Sequence, residues 1–347
     1  MQRKIQTANI SQLLTSKNSF DCIIDVRSPS EFNEDHIPGA INCPVLDDSE
    51  RAEVGTTYKQ IDPFTARKRG AVLTSQNISH HISTFADHPK EWTPLIYCWR
   101  GGQRSGSMAL VMHEIGWPVN LLLGGYKAFR RQVQTDLEEY LPRLNLIVLT
   151  GPTGCGKTDV LATLRHDGHQ ILDLEHLANH RGSILGQDPS SDQPPQKLFE
   201  SRLHHALLQL DLAQPIFVES ESSKIGELHL PKSLFANIMQ SPTVTLSCPR
   251  RQRAAYLVEQ YAHLTESTDQ TIELIQRLKF RHGHERINAW CQLIKDGQWL
   301  DLADSLLEHH YDPAYARSQK RLQPGSHHSL ENPGQLESGV ILDGIAQ

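Results

Sequence analysis

An apolar run of strand length, Asn145-Leu-Ile-Val-Leu-Thr150, leads directly into Gly151-Pro-Thr-Gly-Cys-Gly156-Lys157-Thr158, and the helical stretch Asp159–Arg165 follows at once. The pattern is G-x-x-x-x-G-K-T between a strand and a helix, the context that makes it a phosphate-binding loop. Gly151, Gly154 and Gly156 let successive N–H groups turn toward one anion. The helix N-terminus adds positive potential, Lys157 adds a full charge, and Thr158 sets a hydroxyl beside a phosphate oxygen or a metal. A loop of this kind leaves the carboxyl end of a strand in a parallel sheet, so the second half of the chain is expected to be α/β. Cys155 holds a variable position of the motif and reads as filler.

Two strand-like runs follow, Gln170–Glu175 and Pro215–Glu221, each closing on acids. Asp173, Glu219 and Glu221 stand where a phosphate loop keeps an acidic partner, and spacing does not choose among them. His180-Arg181-Gly-Ser183 and Ser222-Ser-Lys224-Ile-Gly226 set Arg181 and Lys224 on glycine-containing loops as further anion contacts. Thr243–Ser247 is another strand, and the helices after Arg250 carry the basic clusters. Arg250, Arg251 and Arg253 form one, and Lys279 with Arg281 another. Each is a candidate RNA contact, with a solvated helix face as the plain alternative. From Ser318 the chain turns polar and rich in Gly, Pro, Ser and His, and is expected to be a mobile tail despite the short apolar patch Val340–Leu342.

The first half applies the same strand-turn-helix grammar to a different reagent. Leu95-Ile-Tyr-Cys98 ends in a thiol, and the turn through Arg104 and Ser105 leads to an amphipathic helix read from Met108 to Ile115, with Ser105 as its cap. Loop N–H groups and the positive helix end favour thiolate over thiol. Arg104 stands where it can hold an anion, and Arg100, Gly101, Gly102, Gln103 and Ser105 complete an anion-binding loop. A buried structural cysteine is the bland alternative. Strands at 21–27 and 119–123, a helix start at Ser28-Pro29-Ser30-Glu31 and a turn at 36–42 complete an α/β pattern. The connection from Val45 to Trp92 is too long for a simple crossover, and is expected to be ordered and to cover the Cys98 pocket.

Composition narrows the classes. At 347 residues there is room for two cores, and no apolar stretch reaches membrane length. Met-Gln-Arg-Lys-Ile-Gln-Thr lacks the apolar core of a signal peptide, so a cytoplasmic protein is expected. Six scattered cysteines without a C-x-x-C pair indicate neither a disulfide framework nor a zinc site, and the nineteen histidines form no ligand spacing, so no metal centre is expected. A net charge of −6 does not exclude RNA, because the total does not set the sign of one face.

D-V-R-S-P-x-E-F from Asp25, H-I-P-G-A-I-N from His36, the Cys98 loop and L-x-G-G-Y ending at Tyr126 resemble a rhodanese domain over about residues 8–135. One departure is the loop itself: five residues separate Cys98 from Arg104, one more than in ordinary sulfur-transferring rhodaneses and similar to rhodanese-like phosphatases, so phosphate-sized anions become plausible ligands. E-R-A-x-V-G-T-x-Y-K, A-N-H-R-G-S, E-S-E-S-x-K-I-G and H-Y-D-P-x-Y extend the likeness, and nearly the whole chain resembles the bacterial tRNA 2-selenouridine synthases.

That resemblance implies replacement of sulfur by selenium at C2 of the wobble uridine, U34, of certain tRNAs. Selenophosphate is the donor, and an S-geranyl-2-thiouridine intermediate is made from geranyl diphosphate. Cys98 then attacks selenophosphate and carries selenium as a persulfide-like adduct, Arg104 and the loop amides hold the oxyanion, and the phosphate loop grips the departing diphosphate. The expected organisation is a rhodanese-like α/β domain at 1–140, a P-loop NTPase-like α/β domain with C-terminal helices at 141–317, and the tail at 318–347. No tightly bound cofactor is expected, and magnesium is left open. Two rivals stay open on the residues alone: a rhodanese-like phosphatase or sulfurtransferase fused to a nucleotide kinase, and a non-enzymatic regulator with a nucleotide-sensing loop.

Overall fold

In the computed structural model, residues 4–15, 20–183, 185–186, 191–319, 322–323 and 325–334 are described. The chain forms two compact units, Met1–Leu137 with Pro194–Leu208, and Glu138–Gln193 with Gln209–Gln347.

The first unit is built on a five-stranded sheet of β1 (Gln6–Ala8), β2 (Cys22–Asp25), β3 (Ala40–Asn42), β4 (Pro94–Tyr97) and β5 (Asn120–Leu122), in the order β1-β5-β4-β2-β3 with every pair parallel. All four residues of the central β4 are buried, as a strand covered on both faces requires. Ile24, Ile96, Met108, Met112, Trp92 and Trp117 form the core around it. Ser28 starts the helix Pro29–Glu34 with its N–H donated to Glu31, and proline sits in the first turn, as its fixed φ favours. The long connection is an ordered helical hairpin, Asp48–Gln60 and Pro63–Thr84, with Asp47 and Asp62 accepting from Glu50 and Thr65 at the two N-termini. It reaches the Cys98 region through Ile78, which joins that core, and Arg51, which pairs with Glu31 at 3.0 Å.

One helix of this unit comes from the second half of the sequence. Gln196–Leu207 buries Leu198, Phe199, Leu203 and Leu207, pairs Glu200 with Arg130, and brings His204 Nε2 to 2.7 Å from Asp136 Oδ2 in a buried contact. The stretch expected at 141–317 is therefore interrupted. A helix packs its apolar stripe wherever a matching face lies, and sequence distance does not forbid it.

The second unit has β6 (Leu146–Thr150), β7 (Gln170–Leu172), β8 (Ile216–Glu219), a small antiparallel hairpin of β9 (Lys224–Ile225) and β10 (Leu228–His229), then β11 (Thr243–Ser247) and β12 (Ser326–Ser329). Its main sheet runs β12-β11-β6-β8-β7, all parallel. The expectation of a mobile tail is corrected here for part of its length. Residues 326–329 are an edge strand, Leu330 is buried and donates its N–H to the Ser247 carbonyl, and Gly334 donates to the Cys155 carbonyl. An edge strand buries one side only, so Ser-His-His-Ser carries no apolar signature. Val340–Leu342, Lys320 and Arg321 lie outside the described residues. The C-terminal helices pack Ile275, Leu278, Ile287, Ile294, Leu302 and Leu306 around a buried Trp290. No helix among the described residues is long and apolar enough to cross a membrane.

Asp25 and Arg27 are both buried and joined by four hydrogen bonds, three from the guanidinium and one from the Arg27 N–H. Arg27 also donates to the Asp35 carbonyl and lies 4.0 Å from the centre of the Tyr126 ring. Arg27→Met leaves the Asp25 carboxylate buried without its partner and is expected to cost about 3–5 kcal/mol. Urea unfolding measures the loss, and Asp25→Leu with Arg27→Met should recover much of it, since no orphan charge then remains.

Candidate functional site

Cys98 follows β4 directly and is buried. The turn after it closes through Gly101, whose φ of +70° is open to glycine and whose place a Cβ would bring to 2.9 Å from the Leu122 carbonyl. Gly102 then caps the helix Gln103–Ile115, so the helix begins earlier than expected. Ser105 is consequently a buried residue of the first turn and not the cap. Its hydroxyl donates to Cys98 Sγ at 3.2 Å, and the Gly102 N–H donates at the same distance. Burial pushes the thiol up, but the Ser105 hydroxyl and the N–H groups of Ser105, Arg100 and Gly102 outweigh it and hold Cys98 below its ordinary value. The other five cysteines are pushed up, Cys43 to about 12 and Cys155 to about 11, with burial as the largest cause each time. The environment therefore favours ionisation at Cys98 and opposes it at the other five.

Arg104 lies in the same loop but reaches Glu31, at 2.7 Å. Glu31 also accepts from Arg51 and from the Ser28 N–H. Burial pushes this carboxyl up, yet Arg104, Ser28 and Arg51 together hold it below the usual range. The amides and Ser105 hold the sulfur, then, while Arg104 is positioned beside the loop by a carboxylate with which an incoming anion competes. Arg100, Gly101, Gly102 and Gln103 are exposed at the mouth.

The phosphate loop follows β6. Gly154 and Gly156 take φ of +84° and +75°, Gly156 caps the helix Lys157–His166, and Lys157 Nζ rests on the Gly151 carbonyl at 3.2 Å, within the span a phosphate would take. Thr158 is exposed on the first helical turn. The acids divide by role. Asp173 caps the helix Leu174–Ala178 by accepting from the His176 N–H, and lies 3.6 Å from Arg165. Glu219 is buried, and its Oε1 accepts from the Glu175 N–H at 2.7 Å. Burial and the neighbouring carboxylates push Glu219 well above the usual range, and Glu221, beside Glu175, is pushed up to about 8 although Lys157 opposes the shift. Glu175, the acid that closes the Gln170–Glu175 run and was not singled out from it, is also pushed up mainly by burial. Acids whose ionisation is opposed repel a neighbouring anion less, and one near 8 can exchange a proton at neutral pH. Arg181 donates to the Gln260 carbonyl and lies over the Tyr261 ring, whereas Lys224 is turned to Glu227.

The basic clusters fare differently. Arg253 is buried, donates to the Cys248 and Thr153 carbonyls, and pairs bidentately with Asp312 at 2.9 and 2.8 Å. It braces the phosphate loop, which corrects its reading as an RNA contact. Arg250 is paired with Asp304 and Glu308, and Arg251 with Asp301. Lys279 and Arg281 are exposed on either side of a fully exposed Phe280.

Alkylation of Cys98 by iodoacetamide, followed against pH, should show an inflection below the ~8.5 of a free thiol, and Ser105→Ala should raise it. Glu221 gives a second pH test. Its folded pKa lies above the unfolded one, so the folded state binds the extra proton. Stability of the second unit should accordingly fall as pH rises from about 5 to 8, and Glu221→Gln should flatten that slope in urea titrations.

The sequence model of the tRNA 2-selenouridine synthase AAA domain matches residues 144–328, and that of the rhodanese-like domain residues 7–132. A tRNA 2-selenouridine synthase of Nitrosomonas europaea is 37% identical over 69% of this chain, which spans 63% of that relative's length. One of Sulfurovum is 33% identical over 84% of this chain and 87% of its own, and one of Bordetella petrii 31% identical over 89% and 91%. With its two domains in this order and two of these relatives matched over most of their length, the chain belongs to the tRNA 2-selenouridine synthase family.

Proposed function

We propose that this protein converts 2-thiouridine at U34 of tRNA to 2-selenouridine in two steps, one at each loop. At the phosphate loop the thiocarbonyl sulfur attacks C1 of geranyl diphosphate, the C–O bond breaks, and diphosphate leaves against the loop amides and Lys157. The S-geranyl group makes C2 an electrophile with a good leaving group. The selenium of selenophosphate then adds to C2 and geranylthiol departs, leaving selenium bonded to both C2 and phosphorus.

Electron balance assigns Cys98 a more specific task than carrying selenium. Moving neutral selenium onto a thiolate would leave phosphite behind, whereas selenium in selenophosphate already has the oxidation level of selenouridine. Attack of the Cys98 thiolate on phosphorus releases the selenouridine anion and leaves S-phosphocysteine, which water hydrolyses to phosphate. The loop amides and Arg104 hold the phosphoryl oxygens, the work a five-residue loop suits. The observation that carries the reading is the convergence of the Gly102 N–H and the Ser105 hydroxyl on Cys98 Sγ, each at 3.2 Å, which favours the thiolate there and at none of the other five cysteines. Exposed Lys279, Phe280 and Arg281 offer the tRNA two charges and a stacking face.

The test is a two-by-two assay read by nucleoside mass spectrometry. Cys98→Ser should form S-geranylated tRNA but no selenouridine. Lys157→Ala should lose about 10²–10³ in geranylation rate yet selenate tRNA supplied already geranylated. If Cys98→Ser blocks geranylation while folding normally, or Lys157→Ala geranylates at full rate, the assignment of one step to each loop fails.

A further inference from the structure

Beside the phosphate loop, the second unit has a half-open cavity of about 70 Å³, walled almost wholly by carbon. Thr153 belongs to the loop and to this wall at once. Leu257, also in the wall, comes to 3.1 Å from where a Cβ on Gly154 would stand, so the cavity begins where the loop ends. Leu264, Trp299, Leu306 and Tyr311 line the rest. Two of the hydroxyls around it are already engaged, Thr265 and Thr271 donating to the carbonyls of Ala262 and Leu264, and Tyr261 and Tyr311 lie near Ser183. A nucleotide base would find few free donors or acceptors there, whereas a hydrocarbon asks for none.

We propose that this cavity seats the hydrocarbon chain of an isoprenoid diphosphate whose diphosphate lies in the Gly151–Thr158 loop. The proposal rests on the reading of that loop as a diphosphate cradle, and it adds the residues that select the chain. A water needs ~10–15 Å³ by the same measure, so the space holds about five to seven of them, enough for the diphosphate-proximal part of an isoprenoid chain, and the wall residues meet the rest at its open side. Ser183 and Tyr311 come from two of the segments that carried the resemblance, A-N-H-R-G-S and H-Y-D-P-x-Y, and they meet at this wall.

Isothermal titration of the full chain with geranyl diphosphate, inorganic diphosphate, ATP and farnesyl diphosphate tests it. Each buried methylene is worth about fourfold, so geranyl diphosphate should bind roughly 100- to 1000-fold tighter than inorganic diphosphate. Ala303→Trp, which fills the cavity, should remove that excess and leave inorganic diphosphate unchanged. Lys157→Ala should weaken both ligands. Leu264→Ala, which enlarges the cavity, should shift preference toward farnesyl diphosphate at least tenfold, a readout that stands even where Ala303→Trp fails to fold. If the wild type binds ATP as tightly as geranyl diphosphate, or if Leu264→Ala leaves chain preference unchanged, the cavity is not the chain's seat. If geranyl diphosphate binding responds to Ala303→Trp but not to Lys157→Ala, the cavity stands and the diphosphate reading of the loop falls.

Discussion

Both reactive loops of this protein depend on one constraint: a negative charge at the carboxyl end of a buried parallel strand survives only if backbone N–H groups turn to meet it. Burial alone would push the Cys98 thiol toward its neutral form, as it does the other five cysteines. The difference lies in the turn that follows. After Cys98 the chain closes through glycine at positive φ, so its amides and the Ser105 hydroxyl converge on the sulfur. The loop after β6 does the same for a phosphate, with Gly154 and Gly156 in the left-handed region. In each case the anion is answered mainly by main-chain dipoles, which cost little reorganisation when the chemistry occurs.

Side-chain charges play a supporting part, and many are used against one another. Arg104 is held by Glu31, which is shared with Arg51 from the helical hairpin. Arg253 is buried and reaches the phosphate loop, Cys248 and Asp312 together. A buried arginine with one partner removed is costly, and one satisfied on every side is a rigid brace. The acids near Lys157 show the opposite case: too many carboxyls share too little positive charge, so burial and mutual repulsion push Glu175, Glu219 and Glu221 up. Such a cluster carries less charge than its composition suggests, which weakens its repulsion of an anion at the loop.

The helix Gln196–Leu207 and the strand Ser326–Ser329 show how local sequence can mislead about membership. The helix lies after the phosphate loop in sequence yet folds with the first unit. The strand is made of serine and histidine and still completes a parallel sheet, because backbone pairing to β11 supplies what side chains do not.

What the sequence determined by itself was everything set by a short stretch of backbone: the phosphate loop, the glycine turn after Cys98, the helix start at Ser28, and the parallel α/β character of both halves. These are legible because dihedral preference, hydrogen-bond capacity and apolar period are local properties. What only the tertiary structure decided was partnership. Arg104 and Arg253 read alike in sequence, each an arginine assigned to an anionic ligand, yet one faces Glu31 near the surface and the other is enclosed by Asp312 and two carbonyls. Ser105 reads as a cap and becomes a donor to sulfur once the helix starts at Gln103, and Glu175 gains its environment only when β7 and β8 lie side by side. The cavity beside Thr153 gathers residues from Thr153 to Tyr311, and no window of sequence contains it. Electrostatic strength and desolvation depend on distances through space, and those distances are set by how helices and strands pack, not by how residues follow one another.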